Sequence, residues 1–199
     1  MKFLLLILSF LTVLPSNDVS NNSDIFEVTT IKVLPQSSLK IQGKTNISKF
    51  SCVFEISNID QPIIVDFEQD YNSLKFKNTF LILENDCFDC GNNMMNKDLR
   101  KLLKSDEYPH IQLSLKTVQP HALAQVSTAK VDISLAGVTN SFTVPVHIIK
   151  EEKITSLKGT LAIDIENFNL EAPRKMLGTV KVSNLIEIEF DLKIQNLNK

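Results

Sequence analysis

The chain has 199 residues, 43% of them hydrophobic, with a formal net charge of −2 and no tryptophan. Its lysines are interspersed with acids, so no basic stripe favours nucleic acid and no acidic tail calls for a basic partner. No low-complexity run or repeat period marks a solenoid, and a chain of this length can fold as one domain without metal or dense disulfides.

At the N-terminus Lys2 precedes the apolar run Phe3 to Leu14, then Pro15 and a polar stretch from Ser16 to Asp24. This is the layout of a secretory signal peptide. As a helix the run would reach only about 18 Å, short of a hydrocarbon core about 30 Å thick. We expect a signal peptide over residues 1–20, a single domain over residues 24–199, and a periplasmic or extracellular product. Lipid attachment is not expected, because no cysteine follows the run closely. In an oxidising compartment cysteines are disulfide candidates first. Cys52, Cys87 and Cys90 allow three pairings and leave one thiol over. Cys87 and Cys90 have CxxC spacing, but their surroundings lack the βαβ context of a redox fold, and two ligands without a second pair do not make a zinc site.

The first half reads as sheet. Ile25 to Leu34 is apolar and β-branched and ends at Pro35. Ser38 to Gln42 alternates and is expected to break at Gly43. Ile47 to Ile56 puts Phe50, Cys52 and Phe54 on one face. Asn58 to Pro62 and Asp70 to Ser73 read as turns flanking a strand at Ile63–Phe67. Thr79 to Glu84 is apolar enough for a strand buried on both faces.

Alternation stops between Cys87 and Pro109, where helical spacing takes over. Asn96 is the expected N-cap, with Asp98 near the positive end of the dipole and Arg100, Lys101 and Lys104 near the other. Leu99, Leu102 and Leu103 make one apolar stripe over roughly two turns. So short a helix needs tertiary cover, and an open barrel end is what its leucines would cover. The alternative is packing on the outside of a sheet.

After Pro109 the period is two. Ile111, Leu113 and Leu115 share a face, as do Val131, Ile133 and Leu135, then Phe142, Val144, Val146 and Ile148 after a turn at Gly137–Asn140. Leu161, Ile163 and Ile165 follow. The last strand sets Ile186, Ile188, Phe190, Leu192 and Ile194 against Glu187, Glu189, Asp191 and Lys193. One buried and one wet face are the mark of antiparallel sheet, here of about eight to ten strands and one helix. The expected fold is mainly β, an antiparallel barrel of about eight strands, since closure removes exposed edges. A sandwich is the alternative.

No nucleophile elbow, P-loop or zinc-protease motif occurs, so no catalytic residue and no enzyme activity are expected. His110, His121 and His147 lack ligand spacing, and no metal is expected. Asp164, Glu166, Glu187, Glu189 and Asp191 read as the solvated face of strands. Arg174 and Lys175 could meet an anionic head group at a barrel rim, or simply sit in a solvated loop.

A set of short motifs carries a family resemblance. They are Gly43-Lys-Thr-Asn-Ile-Ser-Lys-Phe50 with Cys52, Cys90-Gly-Asn-Asn-Met-Met-Asn-Lys-Asp98, Leu102-Leu103-Lys104 and Tyr108-Pro109-His110-Ile111. Ala136-Gly137-Val138-Thr139, Leu157-Lys158-Gly159, Asn167-Phe-Asn-Leu-Glu-Ala-Pro173 and Val180-Lys181-Val182 continue them. In this order and spacing, from about Ser38 to Ile194, the chain resembles the YceI-like family of secreted bacterial proteins, although a histidine-containing segment of better-studied members is missing near the first strands. The resemblance implies a lipocalin-like barrel and, for some members, binding of polyisoprenoid lipid. It also favours pairing Cys52 with Cys90, which both lie in matched segments, leaving Cys87 over.

The implied function is non-enzymatic binding or carriage of an apolar, isoprenoid-type lipid in the cell envelope, with the short helix and nearby loops gating the mouth. No cofactor is implied beyond that lipid. Its pocket would be lined by Ile111, Leu113, Leu115, Val131, Ile133, Leu135, Phe142, Val144, Ile163, Ile188 and Phe190, joined by Val146, Ile165 and Leu192 from the same faces. The competing reading fills the barrel with these side chains and makes it a protein-interaction or stress-response module. Periodicity alone does not separate the two.

Overall fold

A computed structural model describes residues 26–70, 72–120, 126–175 and 179–198. The signal-peptide expectation and His121 lie outside the described residues. The first half forms strands β1 (Phe26–Val33), β2 (Ser38–Lys44), β3 (Lys49–Phe54), β4 (Ile63–Asp70), β5 (Ser73–Lys77), β6 (Phe80–Glu84) and β7 (Phe88–Asp89). Helix α1 (Asn93–Leu102) follows. The second half forms β8 (His110–Gln119), β9 (Val126–Leu135), β10 (Val138–Lys150), β11 (Ile154–Asp164), β12 (Arg174–Lys175), β13 (Val180–Lys181) and β14 (Leu185–Asn196).

Every pairing is antiparallel, and eight strands make a closed ring. The order β1–β4–β5–β8–β9–β10–β11–β14 returns to β1 through Ile31/Asn196, Lys32/Gln195 and Val33/Ile194. Closure leaves these strands no free edge along the ring. Two strands serve two neighbours on one edge. Strand β14 meets β2 over Glu187–Asp191 and β1 over Ile194–Asn196. Strand β8 meets β6 over His110–Ser114 and β5 at Thr117–Val118, with a bulge between Leu115 and Thr117. At the level of β2 and β6 the wall therefore continues through β3 and β7, and the turn Asn85–Cys87 joins β6 to β7.

One end of this structure is solid. Phe54, Phe88, Ile111, Leu135, Ile163, Ile165, Phe168 and Leu170 are buried together, and Phe168 is wholly shielded from solvent. Phe54 and Phe88 meet edge to face with centroids 5.0 Å apart, and Phe142 stacks on Phe168 at 6.0 Å. Helix α1 belongs to this end, with Leu99, Leu102 and Leu103 packed on its core. The Cys52–Cys90 disulfide, both residues buried, ties β3 to the segment that leads into the helix. Asn85, also buried, donates through Nδ2 to the Tyr108 carbonyl at 2.8 Å and to Ser105 Oγ at 3.0 Å, fixing the chain that leaves the helix.

Several local expectations change. The helix starts before Asn96: Asn92 is its N-cap and accepts from Met95 N at 2.9 Å, whereas Asn96 accepts from Cys90 N at 2.7 Å and donates to Asp89. Strand β2 runs through Gly43, because the ring of its cross-strand partner Phe50 covers the space a side chain would take. Thr79 to Glu84 is not buried on both faces, since Ile82 on its outer side is 54% exposed. Ile165 leaves the strand for a turn of 3-10 helix, Ile165–Phe168, and packs in the solid end. Strand β5, Ser73–Lys77, was not expected at all; its hydrophobic residues Leu74 and Phe76 are too few to show a period.

Candidate ligand-binding cavity

The inward faces of the ring converge on a cavity of about 240 Å³. Its wall takes side chains from both halves of the chain: Ile31 and Val33 of β1, Leu39 of β2, Ile63 of β4 and Leu81 of β6 face Leu113, Leu115 and Val118 of β8. Strands β9 to β11 add Ala129, Val131, Ile133, Val144, Val146, Ile148, Leu157 and Leu161, and β14 adds Ile188, Phe190, Leu192 and Ile194. The polar residue among them is Thr79, and its hydroxyl is occupied: it donates to the Lys77 carbonyl at 3.1 Å and accepts from Asp66 N at 3.2 Å. Among the described residues the cavity therefore offers a ligand dispersion and desolvation but no free hydrogen-bonding side chain.

Seven of the eleven residues first singled out in the sequence stand on this wall, Leu113, Leu115, Val131, Ile133, Val144, Ile188 and Phe190, and so do Val146 and Leu192 from the same faces. The other four of the eleven, Ile111, Leu135, Phe142 and Ile163, are off this wall and belong to the packed cluster that contains Phe168, on which Phe142 stacks. Alternation assigns a side chain to a face and says nothing about its height in the barrel. Val118 escaped notice for another reason. The bulge after Leu115 resets the alternation, so both Leu115 and Val118 face the cavity although they are an odd number of residues apart. Ala129 gave no signal because it is small.

Strand register sets depth along the wall. Ile133 pairs with Leu113 near the helix end, whereas Ile148 pairs with Leu157 beside the β10–β11 turn and Ile31 pairs with Asn196 at the end of β14. The mouth is thus at the end of the β10–β11 turn. No residue of α1 lines the cavity, so the helix does not gate the mouth; it closes the opposite end. The β12–β13 hairpin carrying Arg174 and Lys175 is also away from the mouth, anchored where Asn46 N donates to the Lys181 carbonyl at 3.1 Å beside the β2–β3 turn.

Charge lies outside the barrel. Lys40 Nζ is 2.6 Å from Glu189, and Lys158 and Lys193 each lie 2.9 Å from Asp191. Burial acts to raise the Asp191 carboxyl, but hydrogen bonds and charge from Lys193 and Lys158 outweigh it and hold the group below its ordinary value. His110 and His147 are exposed, and among the described residues no three His, Cys, Asp or Glu side chains converge on a metal-sized site. Cys87 keeps its thiol, which burial and the carboxylates of Glu84, Asp86 and Glu55 push up, the reverse of an activated nucleophile.

Known structures share this architecture. BcnA of Burkholderia cenocepacia superimposes with a TM-score of 0.61 at 18% identity, covering 79% of this chain and 95% of that one. A polyisoprenoid binding domain from Saccharophagus degradans gives 0.61 at 13% identity, covering 85% of this chain and 99% of that one. No curated protein matches the sequence. The model of the YceI-like domain matches residues 18–194, spanning the whole ring of strands, the helix and the cavity, and the chain belongs to the YceI-like domain family.

Proposed function

We propose that this protein binds and carries an apolar, isoprenoid-type lipid in the cell envelope, without catalysing a reaction, after export directed by residues 1–20. The observation that carries the reading is the cavity: a closed ring of strands encloses about 240 Å³ of space, and among the described residues its wall has no free polar side chain. Removing a hydrocarbon chain from water into such a space is favourable by about 0.8 kcal/mol per methylene. The solid end supplies the stability that lets the other end stay open. The related fold of a polyisoprenoid binding domain supports the ligand class, and a buried disulfide fits an oxidising compartment. Carboxylates on the outer face are engaged with lysines, which suits solubility better than acid–base chemistry.

Native mass spectrometry of the exported protein, followed by organic extraction, tests this reading. A stoichiometric mass increment that extracts as a long-chain lipid is expected. An apo mass that persists after incubation with quinones and polyprenyl lipids would overturn it in favour of a protein-interaction module.

A further inference from the structure

Resting on that reading, we infer that the cavity acts as a ruler: it takes one terminal hydrocarbon segment of about ten carbon atoms, tail first, and leaves the rest of the ligand outside the barrel. The volume is about 240 Å³. An apolar cavity of about 150 Å³ accommodates one benzene ring, so pro rata this one accommodates about ten carbons. It is smaller than the ~300–1,000 Å³ of pockets that enclose whole drug-sized ligands.

The floor is packed. Ile133 of the wall belongs to the same buried cluster as Ile163 and Phe168, and Phe142 stacks on Phe168 behind it. A chain entering from the mouth stops there. The head group cannot lead, because Thr79 Oγ1 is already engaged and a buried carboxylate, amide or hydroxyl would find no partner. The ring therefore selects an apolar tail by its last carbons, and a long polyprenyl chain and a short alkyl chain are held through the same length.

Displacement of a fluorescent apolar probe from the mature protein by 1-hexanol, 1-octanol, 1-decanol, 1-dodecanol and 1-tetradecanol tests the ruler. Affinity is expected to rise about fourfold per methylene up to decanol and then level off. Ala129→Leu, which adds volume inside the wall, should bring the plateau back to about octanol, and Leu161→Ala should carry it beyond decanol. A continued rise through tetradecanol, or a plateau that neither variant moves, overturns the ruler while leaving lipid carriage standing. Absence of binding by every alkanol overturns both.

Discussion

The ring of Phe190 lies against the bare α-carbon of Gly159, its cross-strand partner, so closely that a methyl group there would sit 2.5 Å from Cζ and 2.8 Å from the Pro145 carbonyl oxygen. Phe190 is also part of the cavity wall. The missing side chain of one strand is therefore what allows the aromatic ring of the next to fold back and leave the cavity open. Gly159→Ala should cost about 1–3 kcal/mol, as overpacking does, and should weaken binding of an apolar probe by pushing the ring inward. Phe190→Leu in the Gly159→Ala background should recover part of both losses in urea denaturation and probe titration. Additive losses would show that the two residues do not constrain each other.

The disulfide closes a loop across 38 positions of sequence. On the chain-entropy model its removal by Cys52→Ala/Cys90→Ala should lower stability by about 4 kcal/mol. Alkylation of the folded protein at neutral pH should mark Cys87 alone, and slowly, because its thiol is pushed up. A non-reducing peptide map that places Cys87 in the dominant bridge would overturn the pairing.

Truncation should discriminate between the two ends. Phe168→Ala removes a ring with no solvent exposure from the solid end and should cost about 3–5 kcal/mol. Leu113→Ala, on the cavity wall, should cost less than about 2 kcal/mol, because one side of Leu113 faces space rather than packed atoms. Leu113→Arg should leave a folded protein, its guanidinium reaching for the mouth, and abolish uptake of apolar probe. Equal costs for the two alanine variants in urea denaturation would contradict a half-open interior.

Acid titration reports the outer face. Ser141 donates to Asp132 across the β9–β10 pair, and this hydrogen bond, with Lys116 at 3.3 Å, holds the carboxyl below its ordinary value against the opposing effect of burial. A carboxyl whose folded value is depressed stabilises the fold above its unfolded value of about 3.9, and that contribution is lost as pH falls through the lower folded value. Stability from this group should be level between about pH 5 and 7 and decline below about pH 4. Ser141→Ala should raise the Asp132 titration midpoint seen by NMR and make the acid-side decline shallower. An unmoved midpoint would mean the hydroxyl does not hold the carboxylate.

Periodicity along the chain settles the class of fold and which faces look inward. Period-two runs such as Ile111/Leu113/Leu115 and Ile188/Phe190/Leu192 admit one buried face, and the helical spacing of Leu99, Leu102 and Leu103 admits one element that is not sheet. It also pointed to nine of the cavity's wall residues, because a side chain that faces inward in a closed ring has only the interior to face. Height and closure come from contacts between distant strands. Ile163 and Phe190 carry the same periodic signal, yet one is packed near Phe168 and the other borders open space. That difference arises from strand register, from the bulge after Leu115 and from where α1 docks, all of which depend on partners far away in the chain. Gly43 shows the same dependence: it reads locally as a strand breaker, but the ring of Phe50 from the neighbouring strand covers it and the strand runs on, as the ring of Phe190 does over Gly159. Local pattern fixes which way a side chain points; contacts between distant segments fix what it meets there.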